Sequence, residues 1–167
     1  MKKKLLVFTI AIMLIMTIVT AYSESNFTFS KETTDSIKTL FSSGLVTSRN
    51  FETSYEARAM FAMVGVYSLM QEKLVDDDAC WSALFQGNVY TAISPDKNFI
   101  CLLFIADNKV VTFMCDTLGM GSCSYQETDI PVKDAKITTF LANIKSSGII
   151  SDYWQVPASD IVSLTRK

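Results

Sequence analysis

Phe99-Ile100-Cys101-Leu102-Leu103-Phe104-Ile105-Ala106 is followed by Asp107-Asn108-Lys109 and then by Val110-Val111-Thr112-Phe113-Met114-Cys115-Asp116-Thr117. Two runs rich in β-branched and aromatic residues, separated by a short polar break, read as adjacent strands. The first run is apolar at successive positions, so both of its faces are covered and it lies in the interior of a sheet. Outward from this pair, Val89 to Ser94 precedes it across Ser94-Pro95-Asp96-Lys97-Asn98, and Ser122 to Thr128 follows across Leu118-Gly119-Met120-Gly121. Those breaks are turn chemistry, and links this short join antiparallel neighbours. The expected fold is α+β: a four-stranded antiparallel meander packed against a long buried helix, with flanking N- and C-terminal helices. It becomes five-stranded if the tail from Asp152 adds a strand rather than packing loosely.

The long helix is read upstream of the strands. Thr53-Ser54-Tyr55-Glu56 has capping-box spacing and opens a helix from Ser54 to about Lys73. Between Arg58 and Glu72 there is no charge, and the run is apolar nearly all round, as befits a central helix without a solvent face. Its methionines also suit a face adapting to a partner helix or a lipid, but core packing is the simpler use. Ser30 caps an earlier helix, Lys31 to about Ser42, with Ile37, Leu40 and Phe41 on one side and Gly44 as its stop. Asp76-Asp77-Asp78 breaks the long helix and caps a short one, Ala79 to Gln86, ended by Gly87. A calcium loop would space its carboxylates at alternate positions and add a distant Glu, which this run does not do. Pro131 and Asp134 precede a last helix to about Ser146, with Ile137, Phe140, Leu141 and Ile144 at helical spacing and Gly148 at its end. Ser42-Ser43-Gly44-Leu45-Val46-Thr47 and Ser146-Ser147-Gly148-Ile149-Ile150-Ser151 are one helix-stop device used twice.

The N-terminus reads as an export signal: Met1-Lys2-Lys3-Lys4, an apolar run from Leu5 to Val19, and small residues at Val19-Thr20-Ala21, with cleavage before Tyr22. The alternative is an uncleaved anchor, but this run is shorter than the roughly 20 apolar residues of a spanning helix. Lipid attachment is excluded by position, because the first cysteine is Cys80. Residues 22–167 then form one exported globular domain in the periplasm or outside a bacterial cell, with residues 22–29 a tail or an edge strand. Asn26-Phe27-Thr28 matches a glycosylation triplet, which matters only in a eukaryotic secretory pathway.

Charge excludes whole classes. The chain has 15 Lys+Arg and 17 Asp+Glu. Three of the lysines leave with the leader, so the exported part carries about −5. Nucleic-acid binding needs clustered cations, and an anionic membrane surface repels an acidic protein, so neither is an expected partner. The membrane is met only transiently, through the signal.

Four cysteines, Cys80, Cys101, Cys115 and Cys123, are an even number in an exported chain and read as up to two disulfides. Spacings of 21, 14 and 8, with no histidine anywhere, do not suit zinc. In a hairpin centred on Asn108, Cys101 and Cys115 are equidistant from the centre; in one centred on Gly119, Cys115 and Cys123 are. The preferred pairing is therefore Cys115 with Cys123 and Cys80 with Cys101, and the alternative is Cys101 with Cys115 and Cys80 with Cys123.

No catalytic motif is present. Without histidine there is no ordinary proton shuttle, and neither a nucleophile elbow, a P-loop nor a dinucleotide-binding glycine pattern appears. Cys80 sits near a helix start, but the neighbouring aspartates disfavour its thiolate. No catalytic residue, cofactor or metal is expected. Among Trp81, Tyr90, Tyr125, Tyr153 and Trp154, the aromatics chosen for partner contact are Trp81, Tyr153 and Trp154. The expected role is a non-enzymatic binding or interaction protein of the envelope or exterior, its partner a protein or an envelope component. The alternatives are a small secreted hydrolase using a carboxylate pair and an envelope-complex subunit held by an uncleaved leader.

Overall fold

The computed structural model describes residues 27–118, 122–129 and 136–165. In chain order they form α1 (Lys31–Ser42), α2 (Ser48–Thr53), α3 (Tyr55–Gln71), α4 (Asp77–Phe85), β1 (Val89–Ile93), β2 (Phe99–Ala106), β3 (Lys109–Asp116), β4 (Cys123–Asp129), α5 (Ile137–Ser146), β5 (Asp152–Val156) and α6 (Ala158–Thr165). The fold is α+β. Its single described sheet has the order β4-β3-β2-β1-β5, with every neighbouring pair antiparallel. The meander is as expected, and the tail supplies the fifth strand by pairing with β1. The leader, Asn26, Pro131 and Asp134 lie outside the described residues.

Alternation along the strands divides the core in two. Ile100, Leu102 and Phe104 of β2 point to a cluster shared with α1 to α4, whereas Cys101 and Leu103 point to a second cluster closed by Ile137, Leu141 and Ile144 of α5. The β2 run is continuously apolar because helices cover both sides of it. The long helix α3 runs over β1, β2 and β5 and is flanked by α1, α2, α4 and α6, which explains its apolarity all round. Met70 is buried, and Met60 and Met63 pack on the core. A methyl group added at Gly65 would stand 2.8 Å from Leu102 Cδ2 and 3.0 Å from Phe113 Cδ1, so glycine is what lets α3 approach the sheet so closely.

The helix ends follow local chemistry. Ser30 caps α1 by accepting from the Thr33 amide, and Asp76 caps α4 by accepting from the Asp78 and Ala79 amides. Gly44 and Gly148 both have φ of +74°, and the Val46 and Ile150 amides, each two residues past its glycine, reach back to the Leu40 and Ile144 carbonyls. The repeated stop is therefore one geometry used twice.

Two local expectations need correction. The cap of α3 is Ser54, not Thr53: Ser54 Oγ accepts from the Ala57 amide, while Thr53 ends the short helix α2. That helix has its own capping box, with Thr47 and Asn50 bonded reciprocally, and Asn50 in place of the usual Glu or Gln hid it. The helix ending at Ser146 is not the last, because α6 follows Pro157 and buries Ile161. Of residues 22–29, read as a tail or an edge strand, only 27–29 are described; they form no strand, and Phe29 packs edge-on against Phe113, its ring centroid 5.7 Å away.

Candidate functional site

The cysteines are separated by register. The β2–β3 hairpin turns on two residues, Asp107 (φ +50°) and Asn108 (φ +61°), with Lys109 already paired to Ala106. Its centre thus falls between Asp107 and Asn108 rather than on Asn108, and Cys101 faces Met114 while Cys115 faces Ile100. A one-residue slip moves a side chain to the other face of the sheet. Cys115 lies directly across from Cys123, and the two form a disulfide with Cα atoms 4.1 Å apart. Cys80 and Cys101 are free and buried, correcting the expected second bridge: Cys80 belongs to the cluster under α3 and Cys101 to the one under α5, with the sheet between them.

Neither free thiol is poised for chemistry. Burial, with Asp77 and Asp76 adding to it, pushes Cys80 up to about 12, and burial pushes Cys101 up to about 12. The carboxyls of Asp152, Glu127, Asp35 and Asp96 are held low. Lys145 bonds Asp152, Lys109 and Tyr125 bond Glu127, Lys31 bonds Asp35, and Ser94 with Asn98 bonds Asp96. Burial and the adjacent Glu127 raise the Tyr125 phenol, which donates to that carboxylate within reach of the Leu74 carbonyl. Among the described residues no group of three His, Cys, Asp or Glu side chains could hold a metal ion. The Asp76 side chain is spent on its helix cap.

The three aromatics chosen from sequence part company. Tyr153 and Trp154 point to opposite faces of β5. Trp154 packs edge-on to Phe51 beneath the Arg58 guanidinium, which lies 4.7 Å from its ring and donates to the Phe51 and Glu52 carbonyls at 2.8 and 3.2 Å. Desolvation in this niche lowers the Arg58 pKa. Tyr153 stands on the other face, edge-on to Tyr90, with Lys145 Nζ 5.7 Å from its ring. Both serve packing as much as exposure.

Trp81 is different. It lies on α4, 44% exposed, and stacks on Phe85, 64% exposed, with ring centroids 5.7 Å apart. Cys80, Ala83 and Leu84 hold the inner face of α4 in the core, so positions 81 and 85, one turn apart, point outward. Asp77 and Asp78, both exposed, fall on that same outer face one turn earlier. The result is a helix face with two stacked rings and two carboxylates. Sequence reasoning picked out Trp81 but missed Phe85; the i,i+4 spacing of two large aromatics on a helix whose other side is small and apolar was the available signal.

On the next flank of α4, Ser82, Ala83 and Gln86 form one wall of a cleft of about 560 Å³, whose other walls are β1, the β2–β3 turn and the start of α5. Comparison with family models, with curated protein sequences and with solved structures found no match for this chain.

Proposed function

We propose that this chain is an exported, non-enzymatic binding protein whose partner-contacting element is the outer face of α4. The observation that carries this reading is the Trp81–Phe85 stack, two large rings lying side by side on the outer face of α4, 44% and 64% exposed. Aromatic side chains lose little conformational entropy on docking and dominate interface energetics. Asp77 and Asp78 beside the rings, on a chain of net negative charge, favour a partner segment that presents Lys or Arg next to an apolar surface. The Cys115–Cys123 disulfide suits an oxidising compartment outside the cytoplasm. Among the described residues no helix is long and apolar enough to cross a membrane. High-pKa thiols and low-pKa carboxyls give little support to covalent or acid–base catalysis.

The test is affinity capture from native envelope and culture medium, using a C-terminally tagged chain exported by its own leader. The expected result is one dominant partner whose capture is lost in Trp81→Ala/Phe85→Ala, weakens with salt, and persists in Tyr67→Ala, a control at another exposed ring. A partner retained by the double variant overturns the assignment of this face.

A further inference from the structure

Beyond the α4 face, and independently of it, we propose that the outer edge of β4 pairs with the same edge of a second copy of this chain, joining two sheets into one about a two-fold axis. The observation that carries this is the direction in which the β4 backbone points. The Asp116 amide donates to the Ser122 carbonyl at 2.8 Å, and the bonded rungs of the β3–β4 ladder alternate from there, so Ser124, Gln126 and Thr128 turn their backbone groups to β3. Cys123, Tyr125, Glu127 and Asp129 turn theirs outward. Among the described residues those outward amides and carbonyls have no hydrogen-bond partner, and β4 pairs with β3 alone. The opposite edge of the sheet is guarded. There β5 has five residues, its outward Tyr153 amide donates to the Asp152 carboxylate at 2.9 Å, and α6 begins two residues after it ends. A bare edge is a template for another strand, which proteins normally shorten, charge or cover.

What selects a second copy is that this edge complements itself. Antiparallel pairing about a two-fold through Gln126 sets Tyr125 opposite the partner's Glu127 and Cys123 opposite the partner's Asp129, so every outward residue of β4 meets another outward residue. On the other face Ser124 meets the partner's Thr128 and Gln126 meets the partner's Gln126, all uncharged. Sliding by two residues in one direction sets Glu127 against the partner's Glu127, and sliding the other way leaves Asp129 beyond the end of the partner's β4. The acidic side chains do not forbid the approach. Lys109 stands opposite Asp129 in the β3–β4 register and its Nζ lies 2.6 Å from Glu127, so each edge brings its own counter-charge.

The experiment is sedimentation velocity on the exported chain over a concentration series, with amide hydrogen exchange followed by NMR at the lowest and highest concentrations. The expected result is a reversible monomer–dimer equilibrium in which the Tyr125 and Glu127 amides exchange more slowly as concentration rises, while those of Ser124 and Gln126, already bonded to β3, do not change. Glu127→Pro removes an outward amide and no bond to β3, and should weaken the dimer about tenfold or more; Glu127→Ala keeps the amide and should weaken it less. Gln126→Cys should crosslink to its partner copy on mild oxidation, and Thr128→Cys should not. A mass that stays monomeric up to about 1 mM, a dimer unchanged by Glu127→Pro, or equal crosslinking of the two cysteine variants would overturn the proposal. So would a dimer abolished by Trp81→Ala/Phe85→Ala, which would move the contact to α4. Protection of Tyr125 and Glu127 that appears only when envelope extract is added would give the edge to a different protein and overturn it as well.

Discussion

The Glu72 carboxylate, just past the end of α3, accepts a hydrogen bond from the Ser30 backbone amide at 2.9 Å, so the start of α1 is completed by a residue 42 positions downstream. The Thr33 hydroxyl donates to the same carboxylate oxygen at 2.5 Å. Ser30 thus satisfies the helix from within the chain's own sequence while Glu72 ties that helix to the central one.

These bonds hold the Glu72 pKa below its ordinary value, with the contacts from Ser30 and Thr33 as the main cause. A carboxyl depressed by folding contributes stability above its unfolded pKa of about 4.3 and loses it as pH falls through the lower folded value. Glu72→Ala should cost about 1 kcal/mol at pH 7, as the loss of a helix cap does. In thermal melts across pH, that deficit should shrink below about pH 4.5. A deficit constant down to pH 2.5 would show that packing, not the charged bonds, was lost.

Alkylation under denaturing conditions should label two thiols without reductant and four after reduction, with the first two mapping to Cys80 and Cys101. Closing so short a loop stabilises by roughly 2.5 kcal/mol in the chain-entropy account. Cys115→Ala/Cys123→Ala should lower stability by about that amount, measured by urea denaturation, and leave the two buried thiols unlabelled in the native state.

Thr91 is fully buried beneath the helical layer, and its hydroxyl has no hydrogen-bond partner among the described residues. A buried hydroxyl left without a partner costs about 1 to 3 kcal/mol. Thr91→Val keeps the shape and β-branching and removes that cost, so the variant should raise the urea midpoint by an amount worth about 1 kcal/mol. An unchanged or lowered midpoint would contradict the isolation of this hydroxyl.

The two tryptophans should behave differently when truncated. Trp154→Ala removes the ring between Phe51 and Arg58 and should cost about 2 to 3 kcal/mol of folding stability, whereas Trp81→Ala should cost less than about 1 kcal/mol. Equal losses in chemical denaturation would mean that Trp81 is a packing residue too, and would weaken its assignment to a contact face.

Much of the fold was legible because local signals agreed with one another. The helix at Lys31–Ser42, the strand at Phe99–Ala106 and the glycine stops at Gly44 and Gly148 fall where capping chemistry and apolar pattern place them. The missed elements carry weak signals: α2 is six residues capped through Asn50, and α6 follows Pro157 with little periodicity. Of the candidate contact residues, Trp81 alone remains on an outward-facing element with its ring against another exposed ring.

By itself, then, the sequence determined the types of the longer elements and the antiparallel meander, since each depends on local patterns, while it left Cys115 to pair with either Cys123 or Cys101. Tertiary structure alone decided that Cys80 and Cys101 stay apart, that Glu72 completes α1, and that Trp154 is wedged under Arg58 while Trp81 faces outward. The physical reason is register and layer placement. A turn of two residues instead of three reverses which side of the sheet a cysteine occupies, and whether an aromatic is packed or presented depends on which distant element lands beside it.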